Sequence, residues 1–306
     1  MTQQELLNEK IEQEINRLLD KGVPRVDISI LEYFSNYKPN DDVLFLADFL
    51  IDDYKEYRNL IKKLDILEEP FLTTIKNEEI KSNQKLEDVN GFVIDLLLNS
   101  KVPCTTNNLI EQKNKNTILN KLGFINSHKV LLLGAEELNK TTIRKDNSSI
   151  VKLNEHEVDY IPIDYKYINQ AIEHILSIYN DSTIQHETDI FFKPILLHGL
   201  IASLQLFTDG NTRLGRVYQN ILMWDLSKNI DSFKDLNTPI LYSSLALLKH
   251  STKNEYRQQI KDIATNPSNL NLNNFLYYKL LNIENQLNLN KSKIEETAKT
   301  FNKRLY

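Results

Sequence analysis

Apolar residues along most of this chain recur at intervals of three and four, the spacing that gathers them on one face of an α-helix. The first such run, Leu6 to Leu19, puts Leu6, Leu7, Ile11, Ile15, Leu18 and Leu19 on one side and stops at the turn signal LDKGVP. Residues 28–68 read as two or three short amphipathic helices split by NYKPNDD, and helical patterning resumes over 86–135 through EDVNGFVIDLLL and NTILNKLGF. YINQAIEHILSIYN (167–180) is strongly amphipathic. FFKPILLHGLIASLQL (191–206) is apolar nearly all round and is expected as a central buried helix, with TRLGRVYQNILMWDLS (212–227) as the next. PILYSSLALLKH, NEYRQQIKDIAT and NLNNFLYYKLLNIENQL are the later helical segments.

Two stretches break the pattern. EEPFLTTIKNEEIKSNQK (68–85) is polar and reads as irregular, the best boundary in the sequence. Between Thr141 and Tyr165 the β-formers Ile143, Ile150, Val151 and Val158 surround a DNSS turn, which predicts a small hairpin flanked by helices. The expected organisation is an N-terminal helical region over 1–85, a main helical domain over 86–290, and a charged helix or tail over 291–306.

Composition changes this picture little. Hydrophobic residues make up 41% and charged residues 26% of 306 residues, ordinary for a globular protein. A net charge of -5 argues against a nucleic acid as the main partner. The single cysteine, Cys104, excludes an internal disulfide framework and a Cys-rich zinc site, and a cytoplasmic location is the simplest expectation. The longest apolar stretch, Ile195 to Phe207, is interrupted by His198 and Gln205 and is too short to span a bilayer, so no membrane partner is expected.

The candidate chemistry lies in LQLFTDGNTRLGRVYQ, Leu204 to Gln219. A turn at FTDGN starts the second of two apolar helices, where free amides and the positive helix end make an anion site. Gly210 lets a ligand approach the backbone, and Arg213 and Arg216, three apart, share one face near the helix start. Two guanidiniums beside amides suit a polyphosphate, and Asp209 next to it suits Mg²⁺. The alternative is an Asn-Gly turn with an N-cap and two solvated arginines.

The segment resembles the signature of the Fic family, H-P-F-x-[D/E]-G-N-G-R-x-x-R. Phe207, Asp209, Gly210, Asn211, Arg213 and Arg216 match, while Gln205 stands at the family's catalytic His, Leu206 at its Pro and Thr212 at its second Gly. LLHGLIASLQLF is similar to the family's buried lead-in helix, and TTIRKDNSSI with DYIPIDYKYINQAIEHIL to its target-docking hairpin and the helix after it. TPILYSSLALLKHSTKNEYRQQI is similar to later helices of larger members, so the likeness covers roughly residues 95–285.

The resemblance implies a mainly α fold with a hairpin flap, here with an N-terminal helical extension, and an enzyme moving AMP from ATP onto a protein hydroxyl. Its implied ligands are ATP and Mg²⁺: Arg213 and Arg216 on the terminal phosphates, Gly210, Asn211 and Thr212 at the nucleotide, and Asp209 on the metal. The implied partner is a protein target docking near Ile143–Val151. NNLIEQ, Asn107 to Gln112, resembles the family's inhibitory helix at Ile110 and Glu111 but departs at Asn107 and Gln112; a Glu111–Arg216 pair would act as a brake, and a surface Glu on an ordinary helix is the alternative. Tyr242 and Tyr256 fall where the family walls its adenine pocket, with core packing the better expectation. The N-terminal helices could dock a partner or form a homodimer.

Gln205 is the anomaly. An amide has no useful basicity, and losing a general base typically costs about 10²–10⁴-fold. His198 lies two helical turns earlier, about 10 Å along the axis, and is expected as a core residue bonded to backbone. His186 and His156 are the candidates to reach the site; His128, His174 and His250 carry no signal. The expected outcomes are slow or altered transfer, with Gln205 and Asn211 at the catalytic position, or a non-catalytic nucleotide-sensing or protein-interaction module.

Overall fold

In the computed structural model the described residues are 2–86, 105–132, 142–152, 157–242, 244, 247 and 253–301. They are mainly helical, as the patterning predicts, with one small two-stranded sheet. The helices in chain order are α1 (Gln3–Asp20), α2 (Ile30–Ser35), α3 (Asp41–Leu64), α4 (Glu68–Lys85), α5 (Thr105–Asn114), α6 (Lys121–Leu131), α7 (Ile168–Asn180), α8 (Asp189–Leu204), α9 (Asn211–Ser227), α10 (Lys253–Thr265) and α11 (Asn269–Thr300).

The central pair is α8 and α9, which pack along each other and are buried on nearly every side. Gly215 makes that approach possible: a Cβ there would sit 2.8 Å from the His198 ring and 3.0 Å from its backbone oxygen. Around the pair stand α5, α6, α7, α10 and α11. One buried apolar cluster runs from Val26 to Ala298, so α3, α4 and α11 share it with the central pair. A smaller cluster of Ile15, Leu18 and Ile161 holds α1. Leu6, Leu7 and Leu19, expected on its apolar face, are exposed instead.

Four local expectations need correction. Two helices are split at NYKPNDD as expected, but the second, over 41–64, is 24 residues long rather than short and leaves no third. Asn40 caps it, its side chain accepting from Val43 N at 3.0 Å, and no breaker follows until Asp65. The stretch read as an irregular boundary is α4. Pro70 falls in its first turn, where no N–H is required, and Phe71 and Ile75 anchor it in the core. Its later buried positions are polar, Glu79, Ser82 and Asn83, which hid its helical period.

The hairpin pairs β1 (Val151–Lys152) with β2 (Val158–Tyr160), antiparallel, with Val151 opposite Tyr160. The DNSS turn does not join these strands; it precedes β1. Ile143, on its other side, bridges to Phe207 instead. α6 begins at Lys121, so NTILN lies before it, with Asn120 as its cap. Segment EDVNGFVIDLLL and half of PILYSSLALLKH, with Cys104, His156 and His250, lie outside the described residues.

Candidate functional site

α8 ends at Gln205, whose backbone is left-handed (φ 51, ψ 58). For a residue with a Cβ that conformation costs roughly 1–2 kcal/mol. Gly210 is the second left-handed position (φ 77) and caps α9. A Cβ on it would lie 3.0 Å from Leu132 and 3.2 Å from the His128 ring, so conformation and space both call for glycine.

Between these two kinks the loop is fastened by neighbours on several elements. Asn211 Oδ1 accepts from Phe207 N (3.0 Å), and its Nδ2 donates to Phe207 O (2.8 Å) and Gln205 Oε1 (3.0 Å). From α6, His128 stacks on Phe207 at 3.7 Å between centroids and sets Nε2 2.7 Å from Asp209 O. A carbonyl can only accept, so Nε2 carries the proton. From the hairpin leg, buried Arg144 donates through Nε to Gln205 O (2.6 Å), through Nη2 to Ile163 O (2.7 Å) and through its backbone N to Leu206 O (3.1 Å). Burial lowers its pKa to about 10, still protonated at neutral pH. Neither His128 nor Arg144 carries a sequence signal; only the tertiary fold brings them to the motif.

A cavity of about 280 Å³ opens beside this loop. Gln205, Thr212 and Arg216 form one wall, Val151, Asp159 and Tyr160 of the hairpin another, and Tyr256, Arg257 and Ile260 of α10 a third. Arg257 donates to Lys152 O (2.7 Å) and Lys261 pairs with Asp159 (2.5 Å), clasping α10 to the hairpin. The start of α9 has no side-chain cap, and the first-turn amides of a helix lack internal acceptors.

The two motif arginines are not used alike. Arg216 is buried and lines the cavity, whereas Arg213 turns back toward Asp209 at 3.9 Å. Asp209 Oδ1 also accepts from Gly210 N (2.6 Å). Thr212 is half-buried in the cavity wall, and Gln205 is bonded at both ends of its amide, Nε2 donating to Ala202 O (2.6 Å). Asn211 has its side chain committed to the loop, so it shapes the site from beneath.

Behind Arg216 lies a buried polar cluster that sequence reasoning missed. Arg216 Nε donates to Asn83 Oδ1 (2.6 Å) of α4. Glu79, one turn earlier, accepts from Asn220 Nδ2 (2.8 Å) and Ser244 N (3.0 Å). Burial raises its pKa, opposed by those hydrogen bonds and by the charge of Arg216. Glu111, the expected partner of Arg216, is instead exposed on α5 and pairs with Lys115 at 2.5 Å. The carboxylate that senses Arg216 is Glu79, on the segment whose polar composition masked it.

His198 is in the core as expected, but it bonds side chains rather than backbone. Nδ1 lies 2.6 Å from Gln219 Oε1 and Nε2 2.6 Å from the Tyr256 hydroxyl. Burial holds its pKa well below the usual value, so the neutral ring donates from Nδ1 and accepts at Nε2. Tyr256 thus packs in the core and also walls the cavity, while Tyr242 is buried. His186 sits beside Phe34, Asp48 and Phe192, on a different surface from Gln205.

Mg²⁺ is usually held by one or two carboxylates when phosphates complete its shell. Half-buried Asp209, with one oxygen only loosely paired, fits that need. Among the described residues no three His, Cys, Asp or Glu gather to hold a metal unaided, and no helix is long and apolar enough to cross a membrane.

No family model and no curated protein matches this sequence. The fold matches 26 chains of known structure. One is a Fic family protein from Desulfovibrio desulfuricans G20, similar with a TM-score of 0.57 over 84% of this chain and 76% of that one, at 14% identity. At that identity the likeness establishes the fold: a mainly helical, Fic-like architecture.

Proposed function

We propose that the cavity beside Gln205 binds Mg-ATP, and that this Fic-like chain transfers AMP to a protein hydroxyl slowly at best. The observation that supports it most is Arg216, a buried guanidinium in the wall of a cavity at the start of an uncapped helix. A guanidinium at the edge of a cavity suits a phosphate, to which it can present two parallel N–H donors. In this reading Arg216 takes the terminal phosphates, joined by Arg213 once it leaves its loose contact with Asp209. Gly210 and Thr212 bring the first-turn amides to the inner phosphates, Asn211 holds the loop that presents them, and Asp209 holds Mg²⁺, which neutralises phosphate charge.

Gln205 argues for slow transfer. Its amide cannot take a proton, and both of its ends are already bonded. That second fact favours, as an alternative, a nucleotide-sensing regulator whose protein partner docks at the hairpin near Ile143–Val151. Thermal unfolding tests the binding claim. Mg-ATP at about a hundred times its Kd stabilises by about 2.7 kcal/mol, a rise in Tm expected for the wild type and not for Arg216→Ala. No rise in the wild type refutes the nucleotide reading. Gln205→His is expected to speed AMP transfer by up to about 10²–10⁴-fold; binding without any gain identifies a regulator.

A further inference from the structure

Lys279, on α11, is fully buried, and its Nζ has no hydrogen-bond partner among the described residues. It stands behind the cavity wall, its Nζ 6.0 Å from the Tyr256 ring centroid, while Arg216 Cζ is 5.9 Å from the same ring. The groups around it come from four helices: Glu79 of α4, His198 of α8, Arg216 of α9 and Tyr256 of α10. On α3, Asp53 and Glu56 are taken by Lys291, further along α11.

Counting charge explains what this arrangement can do. Glu79 and Arg216 balance each other, and His198 is held neutral. A protonated Lys279 would leave the buried cluster one positive charge in excess. A fully buried ammonium with no acceptor is strongly disfavoured unless a negative charge arrives nearby. The open cavity on the far side of Tyr256 is where one can arrive.

We propose that Lys279 is the proton-linked charge of the anion site: neutral in the free protein, it takes up a proton from solvent when a phosphate-bearing ligand enters the cavity. The inference rests on the nucleotide reading above. Burial, with Arg216 adding to it, brings the Lys279 pKa down to about 7, in the range where a nearby phosphate decides its state. Lys279 touches no ligand; it is a positioning residue acting through the field across one ring.

The test is calorimetry of Mg-ATP in two buffers of different ionisation enthalpy at about pH 8.5, where phosphates are ionised and Lys279 is neutral. Expected is uptake of about one proton per ligand, with Kd rising up to about tenfold per pH unit above that point. Lys279→Met is expected to remove both the uptake and the pH dependence. If that variant does not fold, NMR of lysine-labelled wild type reads the same quantity: a buried lysine titrating near neutrality and shifting upward with Mg-ATP. Binding without proton uptake, or uptake that persists in Lys279→Met, overturns the inference alone. No binding at all overturns the nucleotide reading and this inference with it.

Discussion

The two ends of the Gln205–Arg216 segment are held by different forces. At the Gln205 end, the loop is pinned by Asn211, His128 and Arg144, with backbone carbonyls and amides as their main counterparts. Its donors meet acceptors within the protein. At the Arg216 end, a guanidinium, a carboxylate and a lysine amine are buried together, and their charges balance only when the amine is neutral. The first end is built to keep a backbone shape. The second is built to respond to charge. An anion site needs both, because amides must be aimed in advance while charge must be supplied on arrival.

Mutations should separate the two ends. The largest effect is expected for Arg216→Ala, which removes the guanidinium facing Glu79 together with its bond to Asn83 and leaves Lys279 as the remaining cation beside that carboxylate. Breaking a buried pair in this way costs about 3–5 kcal/mol, read from urea denaturation; Glu79→Gln in the same background should recover part of it. A neutral result would show that Glu79 does not depend on Arg216. Next is Gly210→Ala, where left-handed backbone and contact with Leu132 and His128 should cost about 1–3 kcal/mol. His128→Ala should follow at about 1–3 kcal/mol through the lost bond to Asp209 O and the lost stacking on Phe207.

The pH dependence belongs to the other end. The folded Lys279 pKa of about 7 lies below its ordinary 10.5. Between those values the unfolded chain binds the extra proton, so this group makes stability rise with pH from about 7 to 10.5, by at most about 1.4 kcal/mol per unit. Lys279→Met should flatten that rise in denaturation midpoints compared across pH. The smallest effect is expected for Glu111→Gln. Its carboxylate is in solvent beside Lys115, so neither nucleotide affinity nor stability should move in a titration or a melt. A gain in affinity would restore Glu111 as a brake.

Legibility in the sequence followed the same divide. α8 and α9 were readable because their apolar residues cover nearly the whole helix surface, and the DGN turn because Gly210 is rare chemistry in a Gly-poor chain. α4 was not, since the face it buries is lined by Glu79, Ser82 and Asn83, and a hydrophobic period cannot register a polar face packed on polar partners. His128 and Arg144 reach the loop from 81 and 61 residues away, a proximity no local pattern encodes. Glu111 shows the converse: a local match to an inhibitory motif on the one face of α5 that the fold leaves in solvent.

The measurement that tests the central claim most directly is photo-crosslinking with an azido-substituted ATP, followed by peptide mapping. The account predicts label, competed by Mg-ATP, on the cavity walls contributed by β1, β2 and α10, between Val151 and Tyr160 or between Lys253 and Ile260, and its loss in Arg216→Ala. Competed label confined to another surface, or label that persists without Arg216, would contradict it.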